Sequence, residues 1–373
     1  MLDQFFNIID KLKYKDLENL GEESSFYNLL FAYFNKNSKS FKQNRTFMNV
    51  LEKSKNTILH GPPGTGKTYQ ITQYLKGYVN ESEYKYIVFH PNYTYEDFID
   101  GIKPTGFKNG KMKLEMVNGH FKQFCIDVHI ANKEADKNNL PKYYFIVDEI
   151  NRANLSAVFG ETLMLLEDSY RYDYSKTPEE NKKEGRLITL QNSRLIQKTK
   201  QEEKKEQEVL IFEEIEKEIL FGIPHNIYFI GMMNDVDKSI DSFDLALRRR
   251  FTWIEYGYKE EVIMSEFSLV KEDAYIKAIR DLNKFILDNL GSSTYHLGHS
   301  YFLKIRDYGD TSIIDNNTVE KLFDIHLKPI IKEYLRTQFA ENEIEGKLKE
   351  ARGVFLAPFE TPKKNNAPTG NQG

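Results

Sequence analysis

The sequence predicts a parallel α/β domain followed by a smaller all-helical domain. Three observations carry that prediction. Short apolar runs alternate with helical stretches from residue 56 onward. A glycine-rich loop of phosphate-binding type sits between the first run and the first helix. From about residue 258 to residue 350 the apolar spacing is helical throughout.

The first fifty residues (FFNIIDKLKY, FYNLLFAYF) alternate apolar and charged residues in a helix-like way, and we read 1–50 as a helical appendage. The α/β domain is assigned to 51–257. Its strand candidates are 57–60, 84–90, 143–148, 227–233 and 251–256, near-continuous apolar or aromatic runs of the kind that suit strands covered on both faces. Between them, 67–78 places Ile71, Tyr74, Leu75 and Tyr78 on one helical face, and 155–166 repeats the pattern with Leu155, Val158, Phe159, Thr162, Leu163 and Leu166. Residues 198–218 carry 13 charges, 8 Glu and 5 Lys, and predict a solvated helix or hairpin. The helical domain is assigned to 258–355, and the Pro/Gly/Asn-rich end at 356–373 is expected to be a disordered tail.

The chain has 373 residues and a formal net charge of −4, which excludes a wholesale nucleic-acid-coating protein but not a small basic patch. One cysteine, Cys125, excludes an intramolecular disulfide framework and fits a core position in a reducing compartment. The longest uncharged stretch, 219–234, contains Pro224, His225 and Asn226 and falls short of a membrane-spanning helix. The start, Met-Leu-Asp, lacks the basic segment of a secretory signal, so a soluble cytoplasmic protein is expected.

The most specific motif is Gly61, Pro62, Pro63, Gly64, Thr65, Gly66, Lys67, Thr68, which matches G-x-x-x-x-G-K-[ST] between a strand and a helix. Its glycines let backbone N–H groups turn inward around a phosphate, and the helix N-terminus adds the positive end of its dipole. Lys67 would bridge β- and γ-phosphates, and the Thr68 hydroxyl would ligate Mg²⁺. Further on, the apolar run at 143–147 ends in Asp148 and Glu149. One carboxylate at a strand end can hold Mg²⁺ through water while its neighbour orients the attacking water. We assign Asp148 to the metal and Glu149 to the water. Adjacent strand residues point opposite ways, so these two roles require a bend at the strand end.

Asn234, at the end of the 227–233 run, can serve as a γ-phosphate or water sensor, or simply cap a turn. Arg248, Arg249 and Arg250 precede the last strand. An arginine finger for a neighbouring subunit explains them, against a DNA-phosphate patch or solvated charge, and Arg248 and Arg249 are preferred over Arg250. Asn151 and Arg152 can reach an interface or relay nucleotide state; the plainer reading is a helix entry and a surface ion pair.

The ensemble resembles the AAA+ superfamily and, more narrowly, the McrB family, the motor of modified-cytosine-dependent restriction systems. The resemblance rests on GPPGTGKT (61–68), FHPNYTYEDFIDG (89–101), DEINRAN (148–154) running into LSAVFGETLMLLE, GMMNDVDKS (231–239), DLALRRRF (244–251) and GHSYF (298–302), and covers roughly 45–340. The family's Met-Asn-Thr-Ala-Asp-Arg-Ser stretch here reads Met-Asn-Asp-Val-Asp-Lys-Ser, which retains Asn234 and Asp237. Better-known members carry a sizeable N-terminal DNA-reading domain, whereas about fifty residues precede the motor here, so recognition of methylated DNA is not carried over.

The resemblance implies a P-loop AAA+ fold with a five-stranded parallel sheet and an all-α lid, and a hexameric ring with nucleotide at subunit interfaces. It also implies GTP rather than ATP as substrate and a McrC-like nuclease partner through which DNA is engaged. In such folds the lid often supplies a sensor cation. GHSYF has no arginine, so His299 stands as a phosphate or base contact beside the alternative of a packed or capping residue. Two other readings stay open: a MoxR-like ATPase chaperone, whose family also carries an Asp-Glu-Ile-Asn-Arg run, and a nucleotide-gated scaffold that does not hydrolyse. The scaffold has no physical need for Glu149 beside Asp148.

Overall fold

The strands, in chain order, are β1 (Asn56–His60), β2 (Tyr84–Val88), β3 (Asp100–Lys108), β4 (Lys111–Asn118), β5 (Tyr143–Asp148), β6 (Glu213–Ile215), β7 (Glu218–Leu220), β8 (Ile227–Met232) and β9 (Thr252–Glu255). They belong to a computed structural model that describes residues 51, 53–108, 110–195, 211–237, 243–309 and 314–360. The expectations for 1–50 and for most of the C-terminal tail lie outside the described residues.

Five strands form one parallel sheet in the order β2-β5-β8-β1-β9. The three central strands β5, β8 and β1 are buried almost throughout, which is why β5 and β8 read as near-continuous apolar runs; β1 buries Asn56 and Thr57 beside Ile58 and Leu59. The edge strands β2 and β9 are half-exposed and keep Lys85, Thr252 and Glu255. Helices Lys67–Tyr78 and His120–Glu134 pack on the sheet through Ile71, Tyr74 and Leu75 and through Phe121, Phe124 and Cys125. Five phenylalanines, Phe98, Phe121, Phe145, Phe159 and Phe229, form one cluster in the core. Phe98 stacks on Phe121 with ring centroids 4.8 Å apart, and Phe145 meets Phe121 edge-on at 4.8 Å.

Three features differ from the sequence reading or were absent from it, and a further one, the hairpin in the charged stretch, is one of the two alternatives it gave. The helix expected over 155–166 is α-helical only for Leu155–Phe159 and continues as a 3₁₀ segment, Gly160–Leu166. It breaks at Gly160, whose φ of +50° favours glycine and whose Cβ would lie 3.0 Å from the Tyr95 ring. Of the charged stretch, the described part is a hairpin: β6 and β7 pair around Glu216 and Lys217, both at positive φ. An antiparallel hairpin, β3–β4, was not foreseen at all. Its base is fixed by Asp100, whose carboxylate meets Lys122 Nζ at 2.5 Å and Asn192 Nδ2 at 2.9 Å; the ion-paired side chains are 0% and 2% exposed. Finally, residues 356–359, expected in the tail, are helical.

The chain divides into two units. The first holds the sheet. The second holds residues 256 onward together with Gly61–Gly66 and Asn234–Val236. Its core is built where helices Ala274–Leu290 and Glu341–Leu356 bury Ile276, Ile279, Leu282 and Ile286 with Leu348 and Phe355. Among the described residues no helix is long and apolar enough to cross a membrane.

Candidate nucleotide site

In the sheet unit, Lys67 and Thr68 open the helix Lys67–Tyr78, directly after the glycine loop that follows β1. Lys67 is buried. Thr68 Oγ1 donates to Asp148 Oδ2 at 3.3 Å, so the two residues expected to hold a metal face each other. Asp148 is the last residue of β5, and its Oδ1 accepts the Glu149 N–H at 2.9 Å. Glu149 adopts φ 52°, ψ 40°, a left-handed turn. That is the bend which alternation along a strand demands if the two carboxylates are to act separately.

Glu149 Oε2 pairs with Arg152 Nε at 3.1 Å, and Arg152 Nη2 lies 3.5 Å from Asp237 Oδ2. The bond to Glu149, followed by its charge, holds the Arg152 guanidinium pKa above its ordinary value. Asn151 Nδ2 donates to the Asp237 carbonyl at 3.1 Å. Within this chain Arg152 thus forms the ion pair that the plainer reading described.

One contact has no counterpart in the sequence reading. Tyr86 OH donates to Asp148 Oδ2 at 2.6 Å. Val88 faces Asp148 across β2 and β5, and Tyr86 stands two residues back on the same face, diagonal to the carboxylate. Burial, then the bond to Asp148 and the charges of Asp148 and Glu149, push its phenol well up, so it remains a donor.

The arginines occupy the opposite edge of the sheet. Thr252, at the start of β9, pairs with Thr57 near the start of β1, whereas the glycine loop leaves from the other end of β1. Five residues of strand separate the two edges by about 16 Å. Arg248 lies over the Trp253 ring at 5.0 Å. Arg250 is 10% exposed and tied to Glu167 at 2.9 Å and to the Ala246 carbonyl at 2.8 Å. Arg249 is 68% exposed, with a loose 3.6 Å approach to Glu167. A cavity of about 600 Å³ beside them is lined by Lys55, Glu167, Arg249, Arg250 and Thr252, among others.

In the helical unit, Gly64 and Gly66 have φ of +75° and +81°, which favours glycine, and a Cβ at Gly64 would lie 2.5 Å from Ser300 Oγ. The loop is held by main chain: the Gly298 N–H donates to Pro63 O at 3.2 Å, Ser300 N–H to Gly64 O at 2.9 Å and Asp235 N–H to Gly61 O at 3.1 Å. Within the loop, Thr65 Oγ1 donates to Pro62 O at 2.9 Å. Half-buried Asn234 precedes Asp235 in the short segment packed against the loop. His299 is 8% exposed, and its Nε2 lies 3.0 Å from where a Gly66 Cβ would stand. Its Nδ1 is buried with no hydrogen-bond partner. Burial, then the charge of Lys259, lowers its pKa to about 4, so the ring is neutral at neutral pH.

The Thr68 hydroxyl and Asp148 carboxylate are hard oxygen donors, the type that Mg²⁺ takes alongside phosphate oxygens and water. Among the described residues no group of three or more His, Cys, Asp or Glu forms an all-protein metal cage. Cys125 is fully buried, its thiol pKa pushed up by desolvation, in keeping with a core role.

Comparison with known proteins agrees with the motifs. The family model for the AAA domain (dynein-related subfamily) matches residues 56–251. The type IV methyl-directed restriction enzyme EcoKMcrB subunit of Escherichia coli K12 is 31% identical over 303 residues, 78% of this chain and 56% of that protein. The type II restriction enzyme BsuMI component YdiS of Bacillus subtilis is 24% identical over 275 residues, 69% of this chain and 66% of that protein. This chain therefore aligns with between half and two thirds of the length of each of these curated relatives. A solved chain from Cytophaga hutchinsonii aligns over 86% of this chain and 82% of its own length at 13% identity, with a TM-score of 0.29, too low to bear on the fold.

Proposed function

This chain belongs to the AAA domain family, on its McrB branch, and from that premise we propose that it is a Mg²⁺-dependent nucleoside triphosphatase. We propose GTP as the favoured substrate and a hexameric ring as the working form. The ring would act in the cytoplasm as the motor of a restriction system, driving a separate McrC-like nuclease that engages DNA in the complex. The observation that carries the reading is the Thr68–Asp148 contact at 3.3 Å, with Glu149 turned out of the strand by its left-handed backbone.

In this mechanism, backbone N–H groups of Gly61, Pro62, Pro63, Gly64, Thr65 and Gly66, proline excepted, cradle the phosphates, and Lys67 bridges the terminal two. Thr68 and Asp148 hold Mg²⁺, which when bound neutralises charge on the phosphates. Glu149 orients the attacking water. It must first leave Arg152, an exchange between half-exposed partners whose pairing is worth only about 0–1 kcal/mol. Asn234 senses the γ-phosphate. His299, neutral and buried beside Gly66, contacts the phosphates or the base. Arg248 and Arg249 stand at the sheet edge away from the loop, a placement that favours action on a neighbour's nucleotide rather than their own. Arg249 is the better placed, being exposed and only loosely held.

The test is steady-state phosphate release with GTP and ATP in parallel, on the wild type and on Glu149→Gln. GTP turnover abolished by the substitution, with nucleotide binding intact, is expected. Preferential ATP turnover would move the chain to the chaperone-like reading, and undiminished turnover in Glu149→Gln would remove Glu149 from its role.

A further inference from the structure

The Asp148 carboxylate offers about four lone-pair positions, and three are occupied by protein donors. Oδ2 accepts Tyr86 OH at 2.6 Å and Thr68 Oγ1 at 3.3 Å, and Oδ1 accepts the Glu149 N–H at 2.9 Å. The contacts differ in strength. The phenol bond is short and charge-assisted, whereas the Thr68 bond is long. An aspartate's terminal torsion is broad and roughly two-fold, so something must select the plane of the carboxylate. The Glu149 N–H alone does not, because it comes from a residue in a strained left-handed turn next in sequence. Tyr86 can, since its ring is anchored on the neighbouring strand β2 and reaches diagonally across the register.

We infer that Tyr86 is the positioning residue for the metal-holding carboxylate: its hydroxyl locks the plane of Asp148 so that the single remaining lone pair, on Oδ1, is presented to the divalent cation. The inference rests on the nucleoside triphosphatase reading above and adds a residue that the phosphate-loop and acidic motifs do not contain. Tyr86 touches neither nucleotide nor water in this scheme and acts through Asp148 alone. Its loss should therefore weaken metal binding without weakening metal-free nucleotide binding.

The test uses the full chain carrying Glu149→Gln, with and without Tyr86→Phe. Mn²⁺ is titrated at a saturating non-hydrolysable GTP analogue, and free Mn²⁺ is read by electron paramagnetic resonance. In parallel, affinity for a fluorescent nucleotide is measured in EDTA. Tyr86→Phe is expected to weaken Mn²⁺ uptake about tenfold and to leave nucleotide affinity in EDTA within twofold of the parent. Equal Mn²⁺ affinity in the two proteins overturns the inference. So does a loss of metal-free nucleotide affinity as large as the loss for Mn²⁺, because that is a general defect of the fold. A parent that binds the nucleotide but takes up no Mn²⁺ with it overturns the metal-dependent reading, a result recognisable because it appears before Tyr86 is changed.

Discussion

Lys122→Met is the substitution whose cost the structure bounds most closely. The Lys122 ammonium and Asp100 carboxylate meet at 2.5 Å with side chains 2% and 0% exposed, so no water can stand in for the lost cation. Methionine keeps the volume of the stem and removes the charge. Asp100 is then left with the Asn192 amide at 2.9 Å as its remaining side-chain partner. Breaking one side of a buried pair costs about 3–5 kcal/mol. Asp100→Asn added to Lys122→Met removes the orphaned charge and should recover most of the stability. The assay is urea unfolding of the two single variants and the double variant, with hydrogen exchange of the β3–β4 amides to locate the defect. A Lys122→Met loss below about 1 kcal/mol, or a double variant as unstable as Lys122→Met alone, would refute the argument that an uncompensated charge is what costs.

Two further outcomes follow from the site. In uniform rings Arg249→Ala is expected to lower turnover by about 10³-fold, and mixing in Glu149→Gln subunits, which keep the arginine, should restore part of it, while Arg250→Ala, whose side chain is committed to Glu167, lowers the melting temperature instead; the reverse pattern would exchange their roles. His299 in the folded protein has its pKa lowered to about 4 from an ordinary 6.5. The folded form therefore resists a proton that the unfolded form takes, so stability is full above pH 6.5 and falls as pH drops toward 4. At about 1.4 kcal/mol per pH unit, up to about 3 kcal/mol should be lost across that window in the wild type beyond what His299→Gln loses; parallel urea midpoints for the two proteins would show that the histidine is not the source.

What could be read from residues alone was whatever is encoded locally. The strands β5 and β8 announce themselves because double burial leaves them almost no polar positions, and β1 does so through its apolar centre, Ile58 and Leu59. The bend at Glu149 followed from alternation and two adjacent carboxylates, and the backbone turns left-handed there. Tyr86 was illegible for the opposite reason. Its hydroxyl meets a carboxylate 62 residues away, and Tyr-Lys-Tyr-Ile-Val looks like any edge strand until the register is known. The β3–β4 hairpin did leave a trace: Asn109-Gly110 lies between runs in which Ile102, Pro104 and Phe107 and then Met112, Leu114 and Met116 alternate with polar residues. The dense lysines, with Ile102, Thr105 and Val117 the few β-branched residues of the two strands, hid it. The break at Gly160 lies in its own positive φ, beside the Tyr95 ring of a distant element, and helical periodicity registers neither.

The bonds that Gly298 and Ser300 make to Pro63 and Gly64 run from main chain to main chain. A contact of that kind is blind to side-chain identity, so mutational drift at most neighbouring positions leaves it intact. On the 298–300 side it is exposed to change in two ways. Proline at 300 deletes a donor. Any Cβ at 298 would arrive 2.1 Å from the Gly64 carbonyl carbon and 2.3 Å from its oxygen, too close for either backbone to yield cheaply. A glycine with no chemistry of its own thus guards the seam on which the phosphate loop is seated, and its immutability would be mistaken for catalysis by anyone reading tolerance alone.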